Sequence, residues 1–305
     1  MKVLVTGIAG FIGSALAKGL IDEGYDIVGV DNLSTGKLSN IPQNITFIKG
    51  DISSKQTIDK LNNHNIKYIF HFAGQSSGEI SFDNPVLDLN TNTKSTLLLL
   101  DYASKKSVER FFYASSMSVY GNIKEFVNEN DDTNPLSFYG VGKLASEKYM
   151  KIYSSNNLKC ISLRLFNVYG NNQNLDNLKQ GMISIYLSMA LNDKKIFIKG
   201  SKDRFRDFIE IDDVVDCILH LLKMEQNKSF EIYNLCTGVK TKVYEIIKMF
   251  NDFFPFNLSI EYGESTPGDQ YGIFGDNSKI VKTGWKPKIE FRAGLEKLIT
   301  RKLNE

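Results

Sequence analysis

The chain has 305 residues, of which 42% are hydrophobic and 24% charged, the composition of an ordinary globular enzyme. Its 37 basic and 35 acidic residues are spread along the sequence and leave a formal net charge of +2, which argues against a nucleic-acid or membrane partner. The cysteines follow no metal-ligand spacing, no apolar run is long enough to span a bilayer, and a strand begins directly after Met1 in place of a signal peptide. We therefore expect a cytoplasmic protein without a metal site.

Short β-rich runs alternate with helical stretches through the first half of the chain. Strands are predicted at residues 3–5, 27–30, 45–48, 68–72, 111–114 and 160–166. Helices are predicted at 12–23, 56–63 and 86–105, and another from about Tyr139. Strand, helix and strand in regular succession require right-handed crossovers and a parallel sheet. The predicted fold class is therefore α/β, with a doubly wound parallel Rossmann sheet.

A glycine-rich turn lies between the first predicted strand and the first predicted helix, with the sequence Thr6-Gly7-Ile8-Ala9-Gly10-Phe11-Ile12-Gly13. Glycines three residues apart let the backbone turn tightly and approach a pyrophosphate, which the N-terminus of the helix then stabilises. An ordinary tight turn is the simpler alternative, but the position between strand and helix favours a dinucleotide. The candidate cofactor-binding residues of this turn are Gly7, Gly10, Phe11, Ile12 and Gly13.

An aspartate ends the second predicted strand, 18 residues after Gly13. The carboxylate of Asp31 can accept hydrogen bonds from the adenosine ribose hydroxyls and would repel a 2′-phosphate, which favours NAD over NADP. A turn-capping role is the alternative for a lone aspartate at this place. After the third strand, Asp51 and Ile52 lie where an adenine edge could be held, although a plain turn explains this pair nearly as well.

The regular alternation is lost after about residue 166, where loops rich in Asn, Gly and Asp separate shorter elements. We interpret residues 1–166 as an NAD-binding Rossmann domain. Residues 167–305 are predicted to form mainly a smaller C-terminal substrate-binding lobe, from which segments can cross back to the first domain. Such a lobe would cover the carboxyl edge of the sheet, where open α/β sheets bind their ligands.

A tyrosine and a lysine four residues apart begin the helix near residue 139. Tyr139 and Lys143 therefore lie on one helix face, where a nearby ammonium and a nicotinamide cation would lower the pKa of the phenol and let it act as a base. Ser115 and Ser116 supply hydroxyls at the end of a strand, on the ligand-facing edge of the sheet. Each signal alone is weak, but their order along the chain makes them specific together.

Further motifs accompany these residues along nearly the whole chain. They are Asp31-Asn32-Leu33-Ser34-Thr35-Gly36, His71-Phe72-Ala73-Gly74, Ser116-Met117-Ser118-Val119-Tyr120-Gly121, Arg164-Leu165-Phe166-Asn167-Val168-Tyr169-Gly170, Arg206-Asp207-Phe208, Tyr233-Asn234-Leu235 and Pro267-Gly268-Asp269. With them the sequence resembles the extended short-chain dehydrogenase/reductase family, the NAD-dependent nucleotide-sugar epimerases and dehydratases. It is most similar to the UDP-hexose 4-epimerases.

The resemblance implies roles for single residues. Tyr139 would remove a proton from a sugar hydroxyl, Lys143 would hold the nicotinamide ribose, and Ser116 would hydrogen-bond the reacting oxygen. The further NAD contacts that it implies are Asn32, Ser34, Gly36, Phe72, Ala73, Gly74 and Asn92. The substrate contacts that it implies are Ser116, Asn167, Arg206, Asp269 and Ile273, the last at a position where a bulky residue tends to exclude N-acetylated sugars.

The two residues that follow Ser116 limit the reactions that the chain can be expected to catalyse. Family dehydratases carry an Asp-Glu pair where this chain has Met117 and Ser118, neither of which can serve as the acid or base that eliminates water. One tyrosine and a retained cofactor suffice for 4-epimerisation of UDP-glucose and UDP-galactose, or of UDP-GlcNAc and UDP-GalNAc. A nucleotide-sugar 4-keto reductase and a non-catalytic NAD-binding regulatory protein are the alternatives.

Two further expectations rest on the resemblance. Many relatives have an arginine where this chain has Thr266, which removes an expected phosphate ligand; Arg204 either compensates or is a solvated surface charge. Relatives often dimerise through helices that correspond here to residues 86–105 and 139–153, so we expect a homodimer.

Overall fold

The structure is a computed structural model and describes residues 1–122, 125–155, 157–265 and 270–305. Its strands are β1 (Lys2–Thr6), β2 (Asp26–Asp31), β3 (Thr46–Lys49), β4 (Tyr68–His71), β5 (Arg110–Ser116), β6 (Glu125–Val127), β7 (Lys159–Leu165), β8 (Asn167–Tyr169), β9 (Lys195–Lys199), β10 (Phe205–Arg206), β11 (Phe208–Glu210), β12 (Phe230–Leu235), β13 (Thr241–Lys242), β14 (Ser259–Gly263) and β15 (Ile273–Gly275). Its α-helices are α1 (Phe11–Asp22), α2 (Lys55–Leu61), α3 (Gly78–Asp83), α4 (Pro85–Asp88), α5 (Ser95–Lys105), α6 (Phe138–Tyr153), α7 (Met182–Asp193), α8 (Ile211–Lys223), α9 (Val243–Phe253), α10 (Ser278–Val281) and α11 (Phe291–Leu303).

Seven strands form one parallel sheet in the order β12-β7-β5-β4-β1-β2-β3. The strand order reverses between β1 and β4, which is the point where a doubly wound sheet opens a crevice for its ligand. The predicted strands are present, with ends that differ by at most two residues. The prediction of a doubly wound α/β Rossmann fold is confirmed.

Two hydrophobic cores lie on opposite faces of this sheet. Successive side chains of a strand point to opposite faces, so Val3 and Val5 pack with α1 and α8 while Leu4 packs with α5 on the other side. All three β1 side chains are fully buried, as expected for a central parallel strand covered by helices on both faces. The carboxyl ends of the strands are thereby held in one rigid edge.

The second half of the chain contributes to both parts of the molecule. β12 is an edge strand of the central sheet and pairs with β7. α8 packs against α1 on one face of the same sheet. The other strands of this half pair in two-stranded sheets, β8 with β11, β9 with β14, β10 with β13 and β15 with β6. β8, β9, β11 and β14 surround a separate apolar core together with α7, α9 and α11, whereas β6 and β15 contribute to a smaller one.

The helix predicted at 86–105 has a break in its winding. α4 leads into a π-helical segment, Leu89–Lys94, before α5 continues to Lys105. Such wide turns are rare and often lie at functional sites. None of the helices within the described ranges is both long and apolar enough to cross a membrane.

Candidate active site

The glycine turn between β1 and α1 forms a bare backbone cradle. Gly7 has a φ of +72°, and a Cβ on Gly13 would lie 2.1 Å from the Gly7 carbonyl oxygen, so neither position accepts a side chain without strain. Gly10 caps α1 without a side-chain hydrogen bond, which leaves N–H groups of the first helical turn to the adjacent cavity. These features fit a bound pyrophosphate.

The cavity beside this cradle has a volume of about 460 Å³. It is lined by all five predicted residues of the turn and by six more of the predicted residues, namely Phe72, Gly74, Ser116, Tyr139, Lys143 and Asn167. It runs along the carboxyl edge of the sheet from the glycine turn to the end of β5, which is the path that a dinucleotide takes in a doubly wound fold.

Asp31 lies at the end of β2 with a side chain that is 9% exposed. Its Oδ2 atom accepts a hydrogen bond from the Ala9 N–H at 2.9 Å, and its Oδ1 atom accepts one from the Leu33 N–H at 2.8 Å. The carboxylate therefore ties the glycine turn to the loop after β2. Since each carboxylate oxygen has two lone pairs, an acceptor site remains on each for a ligand hydroxyl.

The other residues predicted near the adenosine serve mainly in turns and packing. Asn32 accepts a hydrogen bond from the Ser34 N–H at 3.0 Å, and Gly36 lies against the backbone of Ala9. Asp51 accepts one from the Ser53 N–H at 2.8 Å, the geometry of a turn cap. The side chain of Ile52 is buried in the core, and the Ala73 N–H donates to the Thr6 hydroxyl at 3.2 Å. Contacts of these residues with NAD stay predictions.

The predicted catalytic residues converge from two elements. The Ser137 hydroxyl caps α6 by accepting a hydrogen bond from the Gly140 N–H at 3.1 Å, so the helix begins with Tyr139 and Lys143 facing the end of β5. The Lys143 Nζ lies 2.8 Å from the Ala114 carbonyl oxygen and 5.6 Å from the centre of the Tyr139 ring. The Ser116 hydroxyl is close enough to Tyr139 to lower the pKa of its phenol.

Burial dominates the electrostatics of this group. Burial raises the pKa of Tyr139 to about 12. The Ser116 hydroxyl lowers this pKa, whereas the Asp88 carboxylate raises it further. Burial lowers the pKa of Lys143 to about 8, which the Asp88 carboxylate opposes. At neutral pH the lysine is therefore an ammonium and the tyrosine a phenol, which needs a further cation beside it to become a base.

A second cavity, of about 280 Å³, adjoins the first above the end of β5. The two share several lining residues, among them Ser76, Met117, Ser118, Asn167 and Gln180. Ligands bound in the two cavities would therefore meet beside Met117 and Ser118, which directly follow Ser116.

Two arginines line the second cavity. Arg206 is 5% exposed and Arg204 is 7% exposed, so the alternative of a solvated surface charge for Arg204 is wrong. Arg206 is held by the Gln270 and Phe205 carbonyl oxygens, at 2.7 and 2.8 Å. Burial and the neighbouring Arg204 lower the pKa of Arg206 to about 10, which still leaves it a cation at neutral pH. Two buried guanidinium groups that line one cavity have the charge to bind a multiply charged anion, and this role stays a prediction.

The remaining substrate predictions have different outcomes. Asn167 lines both cavities, and its Nδ2 donates to the Asp207 carbonyl oxygen at 3.0 Å. Ile273 lines neither cavity; its fully buried side chain belongs to the core cluster that includes Phe166, behind the cavity wall. This placement gives it no direct contact with a sugar. Asp269 and Thr266 lie outside the described residues.

Two residues near Tyr139 and Lys143, namely Gln75 and Asp88, were not identified from the sequence. The Asn92 Nδ2 donates to the Asp88 carboxylate and to the Gln75 carbonyl oxygen, both at 2.9 Å, and all three groups lie behind α6. The position of Asp88, one helical turn before Asn92, was the available signal.

The side chain of His71 is held in a buried hydrogen-bond network. Its ring lies between the hydroxyls of Thr6 and Thr96, at 2.8 and 3.1 Å. Complete burial lowers its pKa to about 3, so the ring is neutral. Among the described residues, no three His, Cys, Asp or Glu side chains gather in a way that could hold a metal ion.

Comparison with known proteins agrees with this geometry. A family model described as the NAD dependent epimerase/dehydratase family matches residues 3–236. The UDP-glucose 4-epimerase of Mycolicibacterium smegmatis is 30% identical over 98% of this chain and 97% of its own. The crystal structure of a UDP-glucose 4-epimerase from Thermotoga maritima with UDP-glucose superposes with a TM-score of 0.94 at 32% identity, over 100% of both chains.

Similar proteins differ in their substrates and reactions. A UDP-N-acetylglucosamine 4-epimerase from Methanobrevibacter ruminantium superposes with a TM-score of 0.91 at 26% identity, over 99% of this chain and 98% of its own. A dTDP-4-dehydro-6-deoxyglucose reductase of Escherichia coli is 29% identical over 97% of this chain and 96% of its own. The sugar is therefore a separate question from the fold and the cofactor.

Proposed function

The chain belongs to the NAD-dependent epimerase/dehydratase family, and from that premise we propose that it catalyses the 4-epimerisation of a UDP-hexose. The observation that carries the proposal is that the two cavities meet at Met117, Ser118 and Asn167, and that the first of them is also lined by Ser116, Tyr139 and Lys143. One cavity has the backbone cradle of a dinucleotide site, and the other has the paired arginines of a diphosphate site.

Tyr139 is the acid/base of the proposed reaction. Bound NAD, held by the glycine turn and Lys143, would supply the hydride acceptor and donor for C4 of the sugar. Tyr139 takes the proton of the C4 hydroxyl as the carbonyl forms, and gives it back to that oxygen when the C4–H bond forms again on the other face. Ser116 holds the reacting oxygen by a hydrogen bond. Lys143, a cation fixed at the end of β5, favours the phenolate.

The residues after Ser116 favour epimerisation over dehydration. Elimination of water across C5 and C6 needs an acid and a base beside the sugar. Met117 and Ser118 line the substrate cavity at this place, and neither side chain can fill those roles near neutral pH. A sugar whose C4 has become a ketone therefore has one outcome in this cavity, the return of hydride to C4.

The arginines set the class of substrate. Arg204 and Arg206 bind the diphosphate of a nucleotide sugar, with Asn167 beside them. UDP-glucose with UDP-galactose, and UDP-GlcNAc with UDP-GalNAc, are the two pairs that we propose. Ile273 lies behind the cavity wall, so its side chain excludes neither pair of sugars.

A hydride label tests the reaction. UDP-glucose with deuterium at C4 is incubated with the protein and no added cofactor. If the sugar offered is a substrate, UDP-galactose forms with deuterium still at C4, because the same hydride leaves and returns. Loss of the label from the product would contradict the mechanism. A 4-keto reductase would instead be inactive here and would turn over a keto-sugar with added NADH.

We further propose a homodimer through α4, the π-helical segment and α6. Apolar side chains on their outer faces are exposed in the single chain, namely Val86, Leu89, Val141 and Ile152, the last by 77%. A contiguous apolar face of this kind is typical of a protein interface. Light scattering after gel filtration should give the mass of a dimer for the protein and that of a monomer for Ile152→Asp; a monomeric unaltered protein would contradict the proposal.

A further inference from the structure

Asp88 is a buried carboxylate that the proposed reaction does not use. Its side chain is 1% exposed, and it lies at the end of α4, just before the π-helical segment. Its Oδ1 atom accepts hydrogen bonds from the Gln75 Nε2 and the Asn92 Nδ2, both at 2.9 Å. A buried carboxylate is costly unless hydrogen bonds and charges compensate it, so its retention behind the catalytic helix requires a reason.

Asp88 lies against the helix turn that carries the catalytic pair. A Cβ on Gly142 would come 3.4 Å from the Asp88 Oδ2 and 3.1 Å from the Thr93 hydroxyl, so α6 packs closely against Asp88 at this glycine. Gly142 stands between Tyr139 and Lys143 in the helix. The carboxylate is thus within electrostatic range of both, and it acts on the pKa of each.

The hydrogen bonds to Asp88 also fix the orientation of the Asn92 amide. The Nδ2 group donates to the Asp88 Oδ1 and to the Gln75 carbonyl oxygen, so both of its hydrogens are used. The Asn92 Oδ1 is consequently turned toward Gly74, 2.5 Å from where a Cβ on that glycine would lie. The Lys143 Nζ lies 3.5 Å from the same point, and Gly74 lines the cofactor cavity.

The Asn92 Oδ1 is a buried acceptor that no donor from the described residues reaches. A buried acceptor without a partner costs about 1–3 kcal/mol, so an arrangement that enforces this orientation serves a donor from a ligand. The acceptor and the ammonium of Lys143 together face one point beside the cavity. An amide turned the other way would instead place its N–H groups next to the ammonium, which is repulsive.

We propose that Asp88 is the positioning residue of this site: its carboxylate holds the Asn92 oxygen toward the cofactor cavity and supplies the negative charge that faces Lys143 and Tyr139. The proposal rests on the proposed function, because it assigns Asp88 to the same pair. Asp88 touches neither cavity and acts only through Asn92, Lys143 and Tyr139.

The charge of Asp88 has a definite effect on proton binding. The groups facing the pair from the surrounding elements are Asp88, Ser116 and Tyr113 on β5, and His71, whose ring is neutral. The Tyr113 ring lies 4.8 Å from the Lys143 Nζ, and burial raises the pKa of its phenol, which therefore stays neutral. The Asp88 carboxylate raises the pKa of Lys143 and that of Tyr139. Removing this charge should therefore lower both pKa values and move the pH profile of turnover to more acidic pH.

The test compares Asp88→Asn with the unaltered holoenzyme and with Asp101→Asn, the same substitution at an exposed position of α5. The pKa of Lys143 is measured by NMR on protein carrying [¹³Cε]lysine, with the signal assigned by its loss in Lys143→Met. We expect the pKa to fall by about one pH unit in Asp88→Asn, and the pH profile of kcat to move with it. Asp88→Glu, which keeps the charge, should restore most of both.

An unchanged Lys143 pKa in folded Asp88→Asn would overturn the proposal, as would a profile that loses height without moving. The NMR titration needs no turnover. If the Lys143 pKa shifts in Asp88→Asn but the unaltered protein has no epimerase activity, the proposed function is contradicted while the role of Asp88 is supported. If Asp88→Asn does not fold, Asn92→Leu tests the other half. It removes the acceptor and should weaken NAD binding at least tenfold with the Lys143 pKa kept; unchanged NAD binding would contradict the proposal.

Discussion

The Nζ atom of Lys143 lies 2.8 Å from the main-chain oxygen of Ala114, so the ammonium is tied to the end of β5 two residues before Ser116. This hydrogen bond joins α6 to the sheet at the place where the two cavities meet. It fixes the distance between the helix that carries Tyr139 and the strand that carries Ser116. The rigid sheet thereby sets the geometry of a site whose members come from distant parts of the chain.

Tyr139→Phe removes the proposed base and leaves the ring that packs beside Lys143. We expect turnover to fall by about 10²- to 10⁴-fold, the usual contribution of a general acid or base, while NAD remains bound. Tyr149→Phe removes a hydroxyl from the same helix away from the cavities and is the matched control. Conversion is followed by proton NMR and bound NAD by absorbance after denaturation. A Tyr139→Phe protein with full activity would exclude this residue as the base.

Asp31→Ala removes the carboxylate at the end of β2. Loss of hydrogen bonds to a charged group costs about 1.5–3 kcal/mol, so the Kd for NAD should rise about 10- to 150-fold. Discrimination against NADP should weaken, because the repulsion of its 2′-phosphate is lost. Calorimetric titration with both cofactors measures this, with Asp26→Ala at the exposed start of the same strand as control. If the preference for NAD is unchanged, another residue reads the ribose.

Lys143→Met should change the dependence of stability on pH. The folded-state pKa of Lys143 is about 8, below its ordinary value of 10.5, so between these values only the unfolded chain carries the proton. The unaltered protein therefore gains stability from this group as pH rises from 8 to 10.5, on the order of 3 kcal/mol, and Lys143→Met does not.

Urea unfolding at pH 7.5 and pH 10 measures this difference. The free energy of unfolding of Lys143→Met, relative to that of the unaltered protein, should be higher at pH 7.5 than at pH 10. Lys148→Met, at an exposed position of α6, is the control. The same free-energy difference at both pH values would show that burial does not lower the pKa of Lys143.

A buried ion pair fixes the catalytic helix one turn after Lys143. The Arg164 Nη2 lies 2.8 Å from the Glu147 Oε2, and the Ser115 hydroxyl donates to the Glu147 Oε1 at 2.6 Å. Arg164→Met should lower the free energy of unfolding by about 3–5 kcal/mol, because it leaves Glu147 as an uncompensated buried charge. Adding Glu147→Leu should recover much of the loss. Equal destabilisation in the single and double variants would contradict this account; the exposed pair Lys105–Asp101 is the control.

Much of the fold was predictable because its signals are local. The apolar runs of the central strands, the glycine turn and the spacing of Tyr139 and Lys143 each lie within a few residues of sequence. The elements after residue 166 were harder to predict from the sequence, because β10 and β13 have two residues each and show no periodicity. The break in the helix near Asn92 arises from contacts with other elements, which helix periodicity does not reveal.

The site was predictable where a motif carries it and not where burial decides it. Arg204 has the sequence context of a surface residue, yet packing of the lobe buries it beside Arg206. Ile273 was expected to face the sugar, but the pairing of β15 with β6 turns its side chain into the core. Asp88 belongs to no motif, and its role depends on Gly142, which is 54 residues away in the sequence.

The most direct test of the central claim is proton NMR of the purified protein mixed separately with UDP-glucose, UDP-galactose, UDP-GlcNAc and UDP-GalNAc, with no added cofactor. Epimerisation through NAD retained by the protein predicts that at least one pair converts to the same mixture of C4 epimers from either side. The tube that reacts also identifies the sugar. No conversion in any tube, followed by turnover once a 4-keto sugar and NADH are supplied, would contradict the epimerase and establish a reductase.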